Sequence, residues 1–81
     1  MVGTSKPNVI EVHKYERMGR INTILKAIQA CKDRETTADR ESLIAECQFL
    51  WGASRRTILE YLKVLIDTKR ILVIDGEITV R

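Results

Sequence analysis

The sequence predicts an α+β fold, mainly helical, with three helices and a C-terminal β-hairpin. Three features carry that reading. Apolar residues recur at three- and four-residue spacing in three separate segments, as they do on helices with one inward stripe. Between the second and third segments stands Gly52-Ala53-Ser54, which joins a residue free to take positive φ to a hydroxyl able to cap a helix start. Near the C-terminus, Asp75-Gly76 separates two short runs rich in β-branched residues, and this pair suits a two-residue type I′ turn.

Residues 1–6 hold little to bury and read as a loose arm, followed by Pro7-Asn8 as punctuation. Val9, Ile10 and Val12 form a short apolar patch that fits either an extended arm or an early turn of a helix begun at Pro7. Residues 1–12 are therefore set apart as an arm, flexible or dimerising, from one domain over 13–81. The first helix is expected over 15–32, with Met18, Ile21, Leu25 and Ile28 inward and Ile24, Ala27 and Cys31 widening the stripe. Gly19 weakens it by about 1 kcal/mol relative to alanine.

Residues 33–39 read as a loop with room for a short extended piece at Thr36-Thr37. Asp39 caps the second helix, and Glu41 complements the positive end of its dipole. That helix turns Leu43, Ile44 and Cys47 inward. It ends at Phe49-Leu50-Trp51, a bulky cluster expected to pin it against the third helix, with an exposed Trp51 offered to a partner as the alternative. The third helix starts at Ser54 and buries Ile58, Leu62, Leu65 and Ile66, with Leu59 and Tyr61 at the margins. Arg56, Thr57, Glu60, Lys63, Val64 and Asp67 take its other side. In the hairpin, a two-residue loop sets Ile74 opposite Glu77, Val73 opposite Ile78, Leu72 opposite Thr79 and Ile71 opposite Val80. Ile71, Val73, Ile78 and Val80 then share one apolar face.

The 81 residues carry a net charge of +3 and a sequence pI near 9.1. This balance leans toward an acidic partner but falls short of a non-specific nucleic-acid coater. Cys31 and Cys47 both fall on apolar helical positions and read as buried free thiols, with a disulfide as the alternative. His13 is the single histidine and the cysteines are far apart in sequence, so no zinc site is expected. Nor is an enzyme. The chain has no Ser/His/Asp constellation, Gly-rich phosphate loop or carboxylate pair in an apolar setting, and no cofactor or small-molecule substrate is implied.

The run Ser54-Arg55-Arg56-Thr57-Ile58, continued by Tyr61-Leu62 and Leu65-Ile66, resembles the recognition helix of winged helix-turn-helix DNA-binding proteins. The order of elements over about residues 15–81 is similar to theirs. That resemblance implies a sequence-specific double-stranded DNA binder, a small transcriptional regulator. Its third helix would enter the major groove and its hairpin would lie along the neighbouring backbone or minor groove. Ser54, Arg55, Arg56 and Thr57 match the helix start that touches phosphates and base edges, and Tyr61 matches a polar aromatic near the backbone. Arg56 is assigned a base edge, because a guanidinium can bond guanine O6 and N7 together. Arg55, Ser54, Thr57 and Tyr61 are assigned the backbone. Glu60 and Lys63 lie on the same outward face, and Lys69, Arg70 and Arg81 at the hairpin base are the wing-side phosphate contacts.

The chain departs from the family pattern in three places. Lys69-Arg70 stand where family members commonly carry glycine, so the third helix is expected to end without an αL cap. The stretch from Leu43 to Trp51 is bulkier and longer than the common pattern. The hairpin tip Asp75-Gly76-Glu77 is acidic where a wing that tracks phosphates would be basic. Pairing of Arg56 with Glu60 and of Lys63 with Asp67 would also neutralise the outward face, while Lys14, Arg17 and Arg20 fit a solvated face as well as backbone contacts. The acidic tip favours a second reading, a winged helix protein–protein module in a larger assembly.

One recognition helix covers only a few base pairs, so a homodimer reading two half-sites is expected. Its apolar surface would be Val9, Ile10 and Val12 with the outer side of the first helix. No apolar run resembles a signal peptide or reaches the length of a membrane span, so the chain is expected in the cytoplasm, on the nucleoid when bound to DNA.

Overall fold

The computed structural model describes the backbone from Val9 to Arg81 and the side chains from Tyr15 onward. The readings made for residues 1–8, and for the side chains of Val9, Ile10, Val12, His13 and Lys14, lie outside these described residues. The element order is α1 (Val9–Asp33), β1 (Ala38–Asp39), α2 (Arg40–Trp51), α3 (Arg55–Asp67), β2 (Ile71–Ile74) and β3 (Glu77–Val80). The result is a small, mostly helical α+β fold of three helices and a three-stranded antiparallel sheet.

Helix α1 begins six residues before the expected start and takes in the apolar patch at Val9, so the boundary placed after residue 12 falls inside it. No proline or glycine interrupts the chain from Val9 to Met18, and nothing local ends a helix there. Its inward stripe is narrower than the spacing suggested. Ile21, Ile24 and Ile28 are buried, Leu25 and Cys31 are half-buried, and Met18 and Ala27 are exposed.

α1 ends with Glu35 in the left-handed region at φ 58°, where Glu35 N donates to Lys32 O (2.9 Å) and Thr36 N to Cys31 O (2.9 Å). The same pair of bonds closes α3. Lys69 sits at φ 60°, its N donates to Ile66 O (3.0 Å), and Arg70 N donates to Leu65 O (2.9 Å). This is the Schellman arrangement. The αL cap expected to be missing is therefore present, and a lysine forms it, because the two backbone bonds offset the roughly 1–2 kcal/mol that a side chain costs at positive φ.

Strand β1 lies at Ala38–Asp39, two residues after the expected extended piece, and pairs Ala38 with Ile78 and Asp39 with Glu77. It makes the hairpin one part of a sheet ordered β1-β3-β2. The hairpin itself has the expected register, with Ile71 opposite Val80, Leu72 opposite Thr79, Val73 opposite Ile78 and Ile74 opposite Glu77. Asp75 and Gly76 both take positive φ, 51° and 79°, as a type I′ turn requires. Ile71 and Ile78 are buried, Val73 and Val80 pack at the margin, and Leu72 and Ile74 face outward.

The core is one cluster in which Ile24, Ile28, Ile44, Ile58, Leu65, Ile71 and Ile78 are almost wholly buried. In α2 and α3 the buried faces differ from those the spacing suggests. Phe49 is 88% exposed and Leu50 65%, so neither pins α2 to α3. On a 3.6-residue helix the inward stripe through Leu43, Ile44 and Cys47 continues to Trp51, and Phe49 falls on the opposite side. On α3, Tyr61 is a core residue at 7% exposure and Val64 packs against the core, whereas Ile66 is 44% exposed. Cys47 is buried and Cys31 half-buried, both as free thiols, and burial pushes the Cys47 thiol upward. Among the described residues no helix is long and apolar enough to cross a membrane, and no His/Cys/Asp/Glu group is set to hold a metal.

Candidate nucleic-acid interface

Two local devices fix where α3 begins. Gly52 ends α2 at φ 60°, ψ 23°, which turns the chain at once, and Ser54 then stands extended at φ −73°, ψ 158° as the N-cap. Its hydroxyl accepts from Thr57 N at 3.2 Å and lies 3.0 Å from the Thr57 hydroxyl. The cap therefore occupies part of the polar capacity of both Ser54 and Thr57. With Ile58, Leu62 and Leu65 held in the core, the outward line of α3 runs through Arg56, Glu60, Lys63 and Asp67.

Arg56 is the most open of these, with its side chain 90% exposed and its Nε 3.6 Å from Glu60 Oε1. Lys63 Nζ meets Asp67 Oδ2 at 3.0 Å. Both pairs expected from the spacing are thus formed. Each is exposed and exchanges readily with solvent or a ligand. Arg55 is more firmly engaged. Its guanidinium donates from Nη1 to Glu41 Oε1 at 2.7 Å and from Nη2 to Glu41 Oε2 at 2.9 Å, a bidentate tie between α3 and the first turn of α2. Glu41 also accepts from Arg40 at 2.9 Å. The hydrogen bonds from Arg55, then the charges of Arg55 and Arg40, hold the Glu41 carboxyl below its ordinary value, and Glu41 raises the Arg55 guanidinium in turn. Arg55 is thus a paired cation in this structure.

Tyr61 is a structural aromatic with one polar end. Its ring packs edge-on against Trp51, with centroids 6.3 Å apart and planes at 78°. Its hydroxyl receives a long hydrogen bond, 3.4 Å, from Arg20 Nη1 on α1. Arg20 also lies over the Trp51 ring, 5.5 Å from its centroid. Arg20, Trp51 and Tyr61 thus join all three helices at one node. No local pattern in the sequence announces it, since the three residues are brought together from separate helices. Beside it, between α1 and α3, opens a cleft of about 240 Å³ lined by Glu16, Arg17, Arg20, Thr57, Glu60 and Tyr61.

The hairpin divides into two electrostatic ends. At its base, exposed Lys69 and Arg70 lie beside Arg81, whose N donates to Arg70 O at 3.1 Å. At its tip, Glu77 accepts from the Thr37 hydroxyl at 2.9 Å, and Gly76 O accepts from Arg40 N at 2.8 Å. The acidic tip is tied to the residues on either side of β1. Asp39 of β1 caps α2, accepting from Ser42 N at 2.9 Å, and that bond draws its carboxyl below the ordinary value. Compared with family models, curated proteins and solved structures, the chain matches none.

Proposed function

We propose that the chain is a winged helix protein that binds double-stranded DNA sequence-specifically, as a transcriptional regulator, with α3 in the major groove. The observation that carries this reading is the presentation of Arg56. It projects, 90% exposed, from the first turn of a helix whose opposite face is locked into the core. A guanidinium so placed can reach guanine O6 and N7 once Glu60, 3.6 Å away, gives it up. Ser54 and Thr57 stand at the same helix start for phosphate oxygens, Glu60 and Lys63 continue the outward face, and Lys69, Arg70 and Arg81 reach for the strand beside the hairpin. A homodimer fits a reading head this small, because two half-sites give the specificity that one helix lacks.

Selection from random duplexes tests the reading. Arg56→Ala should weaken the selected site by roughly 1–3 kcal/mol and relax preference at one base pair. Failure of the unmodified protein to bind any duplex at low salt would defeat the proposal. Phe49 at 88% and Leu50 at 65% exposure then favour the second reading, a winged helix module that docks on another protein. Sedimentation of the whole chain as a monomer on its selected site would remove the dimer.

A further inference from the structure

We infer that the cleft between α1 and α3 is a seat for phosphate oxygens, filled by the nucleic-acid strand that borders α3. For the source of that phosphate the inference rests on the proposed DNA reading. Four of the residues that line the cleft carry groups able to donate to a phosphate: Arg17 and Arg20 through their guanidiniums, Tyr61 through its hydroxyl, and Thr57 through a hydroxyl it shares with the Ser54 cap. Arg20 is the central one. The Trp51 ring at 5.5 Å and the Tyr61 hydroxyl at 3.4 Å are neutral contacts, so they hold the guanidinium without themselves cancelling its charge. Tyr61 accepts from Arg20 and keeps its own hydroxyl hydrogen to donate. Tyr61, 7% exposed, is held by packing, so its hydroxyl oxygen is in place before any ligand arrives.

Glu16 and Glu60 share the cleft and limit what it can hold. Glu60 faces Arg56 at 3.6 Å, and Glu16 is engaged in an interaction of its own. The cleft is an open trough at the side of α3. A helix about 10–12 Å across lying in a major groove about 12 Å wide has a phosphate strand along each flank. Toward α2 that flank is closed by the Arg55–Glu41 tie; toward α1 it is open and carries Arg17 and Arg20.

Two measurements test the seat. In the first, inorganic phosphate replaces chloride at constant ionic strength while the Thr57 amide and the Arg17 and Arg20 Nε–H signals are followed by NMR. They should shift saturably, and Arg20→Gln should abolish the response. In the second, affinities for a selected and a scrambled duplex are measured across salt concentrations. Arg17→Gln and Arg20→Gln should each weaken both duplexes alike and lower the salt slope by about 1, whereas Arg55→Gln should leave the slope unchanged. Arg20→Lys, which keeps the charge, should restore the slope. Thermal melting checks that Arg20→Gln remains folded, and exposed Arg17 gives a variant free of that concern.

Duplex binding with wild-type slopes in Arg17→Gln and Arg20→Gln would overturn the seat and leave the DNA reading standing. Saturable phosphate shifts in the cleft without any duplex binding would uphold the seat and defeat the DNA reading. Phosphate shifts confined to Lys69, Arg70 and Arg81 would overturn the seat.

Discussion

On the α2 side of α3 a guanidinium is held by a carboxylate; on the α1 side another is held by an aromatic ring and a phenol. Arg55 and Glu41 form two short, parallel bonds of 2.7 and 2.9 Å, good geometry that leaves little net charge. Arg20, at 5.5 Å over Trp51 and 3.4 Å from the Tyr61 hydroxyl, is less tightly bonded but not neutralised by either contact. Position and available charge are thus separate properties of an arginine. The doublet Arg55-Arg56, which looks like one basic feature in the sequence, divides along this line. Arg55 joins helices, and Arg56 is the cation offered to solvent.

The largest change expected to break this contrast is Trp51→Ala. It removes the platform beneath Arg20 and the edge partner of Tyr61 together, and it opens space where α1, α2 and α3 meet. A loss of about 3 kcal/mol of stability is expected, measured by urea unfolding followed by circular dichroism. A loss below about 1 kcal/mol would mean that the node does not hold the helices. Gly19, one residue from Arg20, offers the opposite test. A Cβ there meets nothing within 4 Å, so Gly19→Ala should stabilise α1 by about 1 kcal/mol in the same assay while leaving duplex affinity intact.

The hairpin register, the two N-caps, the break at Gly52 and both exposed ion pairs on α3 were legible because each depends on residues close in sequence. A turn needs a particular dipeptide, a cap needs a hydroxyl or carboxylate three residues before an amide, and an i,i+4 pair needs only helical pitch. What could not be read depends on how the elements pack. Glu41 looked like a residue answering the α2 dipole, yet its principal partner, Arg55, is fourteen positions away. Phe49 is apolar by type and exposed by helical phase. The Lys69 cap escaped because the αL conformation favours glycine without requiring it, and the backbone bonds of the Schellman turn decided the matter. Strand β1 has two residues and no periodicity, and only its pairing with β3 defines it.

Releasing Arg55 sharpens the contrast from the α2 side. Glu41→Gln should free its charge, steepen the salt dependence of duplex binding by about 1, and raise affinity at low salt by about 3-fold for any sequence. No change in slope would place Arg55 away from the strand. The same carboxyl predicts a pH effect. Glu41 sits below its ordinary 4.5 and Asp39 below its ordinary 3.8 in the folded chain. Their contribution to stability is therefore present above those ordinary values and is lost as pH falls through the lowered ones. Thermal melts across the carboxylate range should show an acid-side decline that is shallower in Glu41→Gln, and an unaltered decline would assign the acid sensitivity to other groups.

The smallest effect comes from the α1 side. Tyr61→Phe keeps the ring that packs on Trp51 and removes only the hydroxyl that receives the long bond from Arg20. That bond exceeds the usual N–H···O distance, so stability should fall by only about 0.5 kcal/mol. Duplex affinity should fall about 2-fold for selected and scrambled sequences alike, since a phenol donor reads no base. The salt slope should not move, because no charge is lost. This separates the phenol from the guanidinium it receives. A reduced slope would mean that Arg20 swings away from the strand when its acceptor is gone, giving Tyr61 a positioning role. Unchanged affinity would leave the hydroxyl as a buttress for Arg20 alone, with no contact of its own to the backbone.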